Sequence, residues 1–322
     1  MATPPRQVTK NQLVDVTVKA VGESFRFLPT VDVRESLLFI FAWLVSKYGL
    51  LIHEYEFMSN HFHFVATDVR GELPNFMRDL DSYLAMQLNA LRGTTGSNIE
   101  KGYSNIAISD PGKLLDKSVY VLCNAVSAHL VKRTKDWKGP NSLAMDYGVP
   151  VAIERPKCGI WTEKRAPKPK SPFASRGRRK YRGRSKAPQR VELTLHRPPE
   201  VLPELGDAEL RQEIRNRVDA REAELVAERR RTGQKVLGMR GVLQQHFLDT
   251  PRRSRVLFET KPRVSGNDRR KRWEKLDARL TFEAQYRRSR DAWFEGNQDV
   301  VFPHGTWLMR VRFGAKCAEP PP

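Results

Sequence analysis

The stretch Asn60-His61-Phe62-His63-Phe64 sets two imidazoles two residues apart. In an extended strand, residues i and i+2 share a face. His61 and His63 would then project together while Phe62 and Phe64 anchor the opposite side. Two adjacent imidazoles on a rigid strand are half of a metal site. Two unrelated surface histidines on an amphipathic strand would leave the same letters. Further along, Tyr120-Val121-Leu122-Cys123-Asn124 puts a phenol and a carboxamide four residues apart. On one helix such residues stack on one face. Beside a cation, Asn124 could add an oxygen ligand and Tyr120 could attack a phosphate. Without one, a Tyr and an Asn four apart are ordinary helix surface.

These groups converge only if the intervening elements bring them together. Val14, Val16 and Val18 alternate with polar residues and predict a strand. Asp32 is read as the cap of a helix from Val33 to about Lys47, which Gly49 stops. Leu51 to Phe57 alternates again, with Ile52, Glu54 and Glu56 set against Leu51, His53, Tyr55 and Phe57. A bend at Met58-Ser59-Asn60 leads into a strand from His61 to Ala66. A helix over Leu73–Leu91, a strand over Tyr103–Ile108 and a helix over Leu114–Val131 follow. The order β-α-β-β-α-β-α predicts an α+β domain, a ferredoxin-like antiparallel sheet with helices on one face. Beyond it lie a strand at Val191–Leu195 and helices at Asp207–Arg231, Val236–Phe247 and Arg269–Glu295. The first two of these helices read as a helical hairpin in preference to a helix-turn-helix, because Gly238 and Gly241 weaken the second.

Charge separates the two halves. The chain has 322 residues, enough for about two domains. Lys+Arg 57 against Asp+Glu 37 gives +20. Residues 1–150 hold 16 basic and 15 acidic side chains, and residues 151–322 hold 41 and 22. Nearly all the attraction for a polyanion therefore sits in the second half, which argues for nucleic acid and against an ordinary small-metabolite enzyme. From Lys164 to Arg190 there are 12 basic residues and no acid, broken by Pro, Gly and Ser. This segment reads as a basic linker, in which Phe173 and Tyr181 could stack on bases, or as a solvated connection without a role. The expected division is 1–150 catalytic, 151–190 basic linker and 191–322 a basic, mostly helical DNA-binding extension. Three distant cysteines make no disulfide framework or C-x-x-C site. The longest apolar run, 37–45, is too short to cross a bilayer, and the first residues lack an export signal. A cytoplasmic, nucleoid-associated protein with no membrane partner is the expectation.

Taken together, SNHFHFV and YVLCNAVSAHLV resemble the HUH single-strand endonucleases with one catalytic tyrosine. The likeness is strongest to the REP-associated tyrosine transposases, which read NHxH in the strand and Y-x-x-x-N-P in the helix. It extends over about residues 10–150 and faintly to DVVFPHGTWLMR near the C-terminus. Ala125 stands where the family usually has proline. The resemblance implies a ferredoxin-like domain that cuts and rejoins single-stranded or hairpin DNA. It matches Tyr120 to the nucleophile and His61, His63 and Asn124 to the ligands of Mg2+ or Mn2+. No sequence feature identifies the base for the Tyr120 proton. His53 is a candidate whose ordinary reading is structural. Lys132 and Arg133 could hold the strand near the nick. Two other readings stay open: a domesticated binder that keeps the fold without catalysis, and a metal-dependent hydrolase of another phosphodiester. The oligomeric state and DNA target are not legible.

Overall fold

The computed structural model describes residues 5–162, 187–251 and 262–320. The basic run 164–190, with Phe173 and Tyr181, lies almost wholly outside them. The first half follows the expected order: β1 (Gln12–Lys19), α1 (Val31–Tyr48), β2 (Leu50–Phe57), β3 (His61–Asp68), α2 (Leu73–Arg92), β4 (Ser104–Ile108) and α3 (Pro111–Leu122). A one-turn helix α4 (Asn124–Ser127) continues from α3. The strands lie in the order β2-β3-β1-β4, every neighbour antiparallel, which is the ferredoxin-like arrangement. The second half adds β5 (Pro150–Glu154), β6 (Arg190–Thr194), α5 (Asp207–Thr232), α6 (Gly238–Leu243), β7 (Val264–Ser265), α7 (Arg269–Phe294) and α8 (Leu308–Phe313). β5 and β6 form a separate hairpin-like pair, and β7 extends the main sheet as a parallel edge strand beside β4. The chain is thus α+β with a mostly helical C-terminal region.

One sheet face carries the aromatic core. Directly paired residues share a face, so Phe62 of β3 lies with Phe57, and Phe64 with Tyr55. Phe41 of α1 sits among Tyr55, Phe57, Phe64 and Phe76 of α2, with ring centroids 5.4–6.0 Å apart. Gly49 ends α1 at φ 69°, a left-handed turn that side chains resist. Asp68 closes the far end by accepting from the backbone N–H groups of Glu72 and Leu73 where α2 begins.

Several local expectations change, and α1 begins at Val31 after Thr30, so Asp32 lies inside its first turn and is not the cap. The pairing of β2 shifts between Ile52 and Glu54, so His53 is a bulge. The shift puts Ile52 on the same face as Tyr55 and Phe57, and Glu54 and Glu56 on the other with Leu51. The helix expected from Leu114 starts at Pro111, because Asp110 caps it by accepting from Lys113 N–H and proline suits the first turn. That helix also does not run on to Val131. It breaks at Cys123, whose φ and ψ are −92° and 3°.

The second half is built into the first. Leu193, Leu195, Leu210, Ile214 and Val218 belong to the same buried cluster as Val16, Phe41 and Phe64. Arg211 of α5 is fully buried on Glu54, with Ser142 and Tyr147 also bonded to that carboxylate. Asp110 holds the turn before α7 through Asn267 and Asp268 N–H. Gly238 lies at φ 75°, and α6 spans only six residues, shorter than the helix expected over Val236–Phe247.

Candidate active site

The face of β3 opposite the aromatic core carries His61 and His63. Their ring centroids are 4.8 Å apart at 90°. Each ring is oriented by a protein oxygen at Nδ1: the Asn60 side-chain carbonyl at 2.7 Å for His61, and the Thr17 hydroxyl at 2.9 Å for His63. Thr17 is the cross-strand partner of His63 on β1, so the register of β1 against β3 builds this contact. An oxygen partner at Nδ1 restrains the orientation of each ring, as the outer partners of metal-ligating histidines do.

α3 delivers Tyr120 to the same place. Its ring meets the edge of the His63 ring at 5.8 Å and 83°. Tyr120 is 51% exposed, so a phenol oxygen in this position can be reached by a large substrate. Asn124 is buried, and its carboxamide lies against His61, with Nδ2 3.4 Å from Nε2. A half-turn of the amide exchanges its nitrogen and oxygen at that position. His61, His63, Tyr120 and Asn124 therefore stand together.

The break at Cys123 has a cause in Glu56. Its carboxylate accepts hydrogen bonds from the backbone N–H of Asn124 and Ala125. Those donors are lost to the helix, and α4 begins afresh with Asn124 turned toward His61. Ala125, where the resembled pattern has proline, keeps an N–H and spends it on Glu56. Glu56 pairs with His63 across the sheet and is buried, with Oε2 lacking a hydrogen-bond partner among the described residues. Burial pushes its carboxyl well above the ordinary carboxylate range, against the pull of the two backbone donors.

Lys117 is a second residue that sequence reasoning missed. Its ammonium lies 5.0 Å from the Tyr120 ring centre and pairs with the buried Asp15 carboxylate at 2.6 Å. Its position one turn before Tyr120 was the available signal, but Lys at i−3 is common. His53, by contrast, is buried with Nδ1 on the His196 carbonyl and Nε2 on the Thr67 hydroxyl, both at 2.9 Å. Both nitrogens serve the fold. Lys132 and Arg133 are exposed just past α4.

The donor set suits a divalent cation: two oriented imidazoles and a carboxamide, with a buried carboxylate beneath. Among the described residues no group of three or more His, Cys, Asp or Glu gathers in metal-binding range.

Among the solved structures that resemble the chain are these two. One is a REP-associated tyrosine transposase bound to a REP hairpin, with 15% identity and a TM-score of 0.38, covering 44% of this chain and 82% of that one. The other is a candidate transposase from Deinococcus radiodurans R1, with 14% identity and a TM-score of 0.27, covering 36% of this chain and 93% of that one. No family model and no curated protein matches. The fold assignment rests on the chain's own strand order. Among the described residues no helix is long and apolar enough to cross a membrane.

Proposed function

We propose that this protein nicks and rejoins single-stranded DNA through a covalent link between Tyr120 and a 5′-phosphate, as a metal-dependent, transposase-like enzyme of the HUH type. One observation carries the reading: an exposed tyrosine ring sits 5.8 Å from the second of two adjacent, oriented histidines.

His61, His63 and Asn124 would hold Mg2+ or Mn2+; two nitrogen ligands favour Mn2+ in affinity, and Mg2+ is the abundant ion. Such an ion supplies Lewis-acid polarisation of the scissile phosphate. The Tyr120 oxygen attacks phosphorus in line. The P–O bond to the 3′ oxygen breaks, leaving a 3′-OH once that oxygen takes a proton, and the 5′ side stays on tyrosine. The new phosphodiester conserves the energy of the old one, so a strand hydroxyl can reverse the step and join a new end. Lys117, 5.0 Å from the Tyr120 ring centre and paired with Asp15, would favour the phenolate as its proton leaves. Thr17, Asn60 and Glu56 are positioning residues: they aim His63, His61 and Asn124 respectively. Exposed Lys132 and Arg133 and the net charge of +20 suit a phosphate backbone. The REP hairpin bound by the first structural neighbour is the kind of DNA to try first.

The test uses labelled, hairpin-flanked single-stranded DNA with Mn2+. A denaturant-resistant protein–DNA adduct is expected from the unaltered protein and none from Tyr120→Phe, while both bind the DNA. Cleavage that persists in Tyr120→Phe would make water the nucleophile. Binding without an adduct across varied hairpins would leave a non-catalytic binder.

A further inference from the structure

Two arginines meet at the end of the sheet where β1 finishes and β3 begins. Arg26 comes from the segment between β1 and α1, and Arg92 from the last turn of α2. Both converge on one oxygen: Arg26 Nη1 and Arg92 Nη1 donate to the Asn98 side-chain carbonyl at 3.2 and 3.5 Å. Asn98 is fully buried, and its amide nitrogen donates in turn to the Ala85 carbonyl and the Asn89 side chain. Arg92 Nη2 also donates to the Arg26 main-chain carbonyl, and Arg26 Nε to the Ser24 hydroxyl. Phe247 lies beside both, its ring centre 4.5 Å from the guanidinium carbon of Arg92 and 5.7 Å from that of Arg26.

Two positive charges are thus fixed side by side, both half-buried. Among the described residues neither forms a salt bridge. Asp249, whose carbonyl accepts from the Phe25 N–H, has its carboxylate on the His246 N–H. Burial and the like charge of Arg26 pull the Arg92 guanidinium down to about 10. Each guanidinium carries five N–H donors, and the bonds above use two of each, which leaves donors on both for an anion. The pair is also linked to the catalytic face. Val21 N–H bonds the Asn98 main-chain carbonyl, Ala20 N–H bonds the Asn60 carbonyl, and the Asn60 side chain orients His61.

We propose that Arg26 and Arg92 together hold one backbone phosphate of the strand on which His61, His63 and Tyr120 act. A phosphodiester has two non-bridging oxygens that share one negative charge. Paired guanidinium forks match them, and the anion relieves the repulsion between the two cations. Phe247 already carries Arg92, so the site reads no base. It fixes the path of the strand past the end of the sheet, as phosphate contacts do. The strand itself rests on the DNA-processing reading above.

The experiment uses the full chain carrying Tyr120→Phe, so that no strand is cut, with Mn2+ and labelled, hairpin-flanked single-stranded DNA. In a series of such strands one phosphate at a time is made neutral as a methylphosphonate. At one linkage, or two adjacent ones, the affinity is expected to fall about tenfold, the scale of a charge-assisted contact. Adding Arg26→Gln and Arg92→Gln weakens the all-phosphate strand by a similar factor and removes the penalty at that linkage alone, a coupling that a merely structural pair would not show. The same change makes the log–log salt slope shallower by about 0.7, the share of one phosphate. Arg92 braces the Arg26 main chain, so if the double variant fails to melt cooperatively, Arg26→Gln alone keeps that bond and should cut the penalty at the same linkage to about threefold. Penalties that are the same with and without the arginines at every linkage would overturn the proposal. So would a thermal shift by inorganic phosphate that needs both arginines while no linkage couples, since the site would then take a free anion. A strand that binds tightly without coupling leaves the DNA reading standing, and absence of a Tyr120 adduct from the unaltered protein leaves the coupling intact, so the two readings fail separately.

Discussion

At the scale of single residues, histidines on neighbouring strands of one sheet have opposite fates. His61 and His63 face outward with one nitrogen oriented by an oxygen. His53 is enclosed, and burial lowers its pKa from 6.5 to about 4 despite the His196 carbonyl that favours its protonated form. The direction sets a pH dependence. Above about pH 6.5 the ring is neutral in both folded and unfolded chains and costs nothing. Between 6.5 and about 4 the unfolded chain takes the proton and the folded one does not, so stability falls as pH falls through that window. The full loss is on the order of 3 kcal/mol for a single group. Urea unfolding at pH 7 and pH 4.5 should show His53→Gln losing less stability on acidification than the unaltered protein. Equal losses would mean that the ring is protonated without unfolding.

At the scale of elements, Arg211 ties α5 to β2. Its guanidinium meets Glu54 and the carbonyls of Ser142 and Met145 in a fully buried setting. Arg211→Met keeps volume but strands a buried carboxylate, a change that costs about 3–5 kcal/mol when one partner of a buried pair is removed. Denaturant titration should show that loss, and a change within about 0.5 kcal/mol, the surface norm, would contradict the burial. The strand and helix order of the first half was readable because its periodicities are strong, as in Val14-Val16-Val18 and in Leu73, Phe76, Met77, Leu80 and Leu84. The pair His61 and His63 was readable because a strand dictates its geometry. Arg211 was not: within a charged helix it looks like solvent-facing surface, and only the approach of Glu54 buries it. Glu56 was hidden by the bulge at His53, which reverses the faces of β2 beyond it. The break at Cys123 depends in turn on Glu56, a contact between elements far apart in the chain. Local pattern carries no trace of such contacts.

At the scale of the whole molecule, charge and packing follow different divisions. Residues 151–322 hold 41 of the 57 basic side chains, yet Leu193, Leu210 and Val218 share the core of the first half. On the proposed reading, the basic second half holds DNA while the histidine–tyrosine face acts on it. Affinity for single-stranded DNA should therefore fall steeply with salt, with a log–log slope of about −0.7 per phosphate neutralised. His61→Ala should leave that slope unchanged while abolishing the adduct. A slope near zero would remove the electrostatic part of this account.

The central claim is that Tyr120 becomes bonded to DNA. The adduct formed with Mn2+ can be digested with trypsin and nuclease and the modified peptide sequenced by mass spectrometry. The account predicts a nucleotide on Tyr120, within the fragment from Ser118 to Lys132 that follows cleavage after Lys117. A nucleotide on any other residue, or cleaved DNA with no modified peptide, would contradict it.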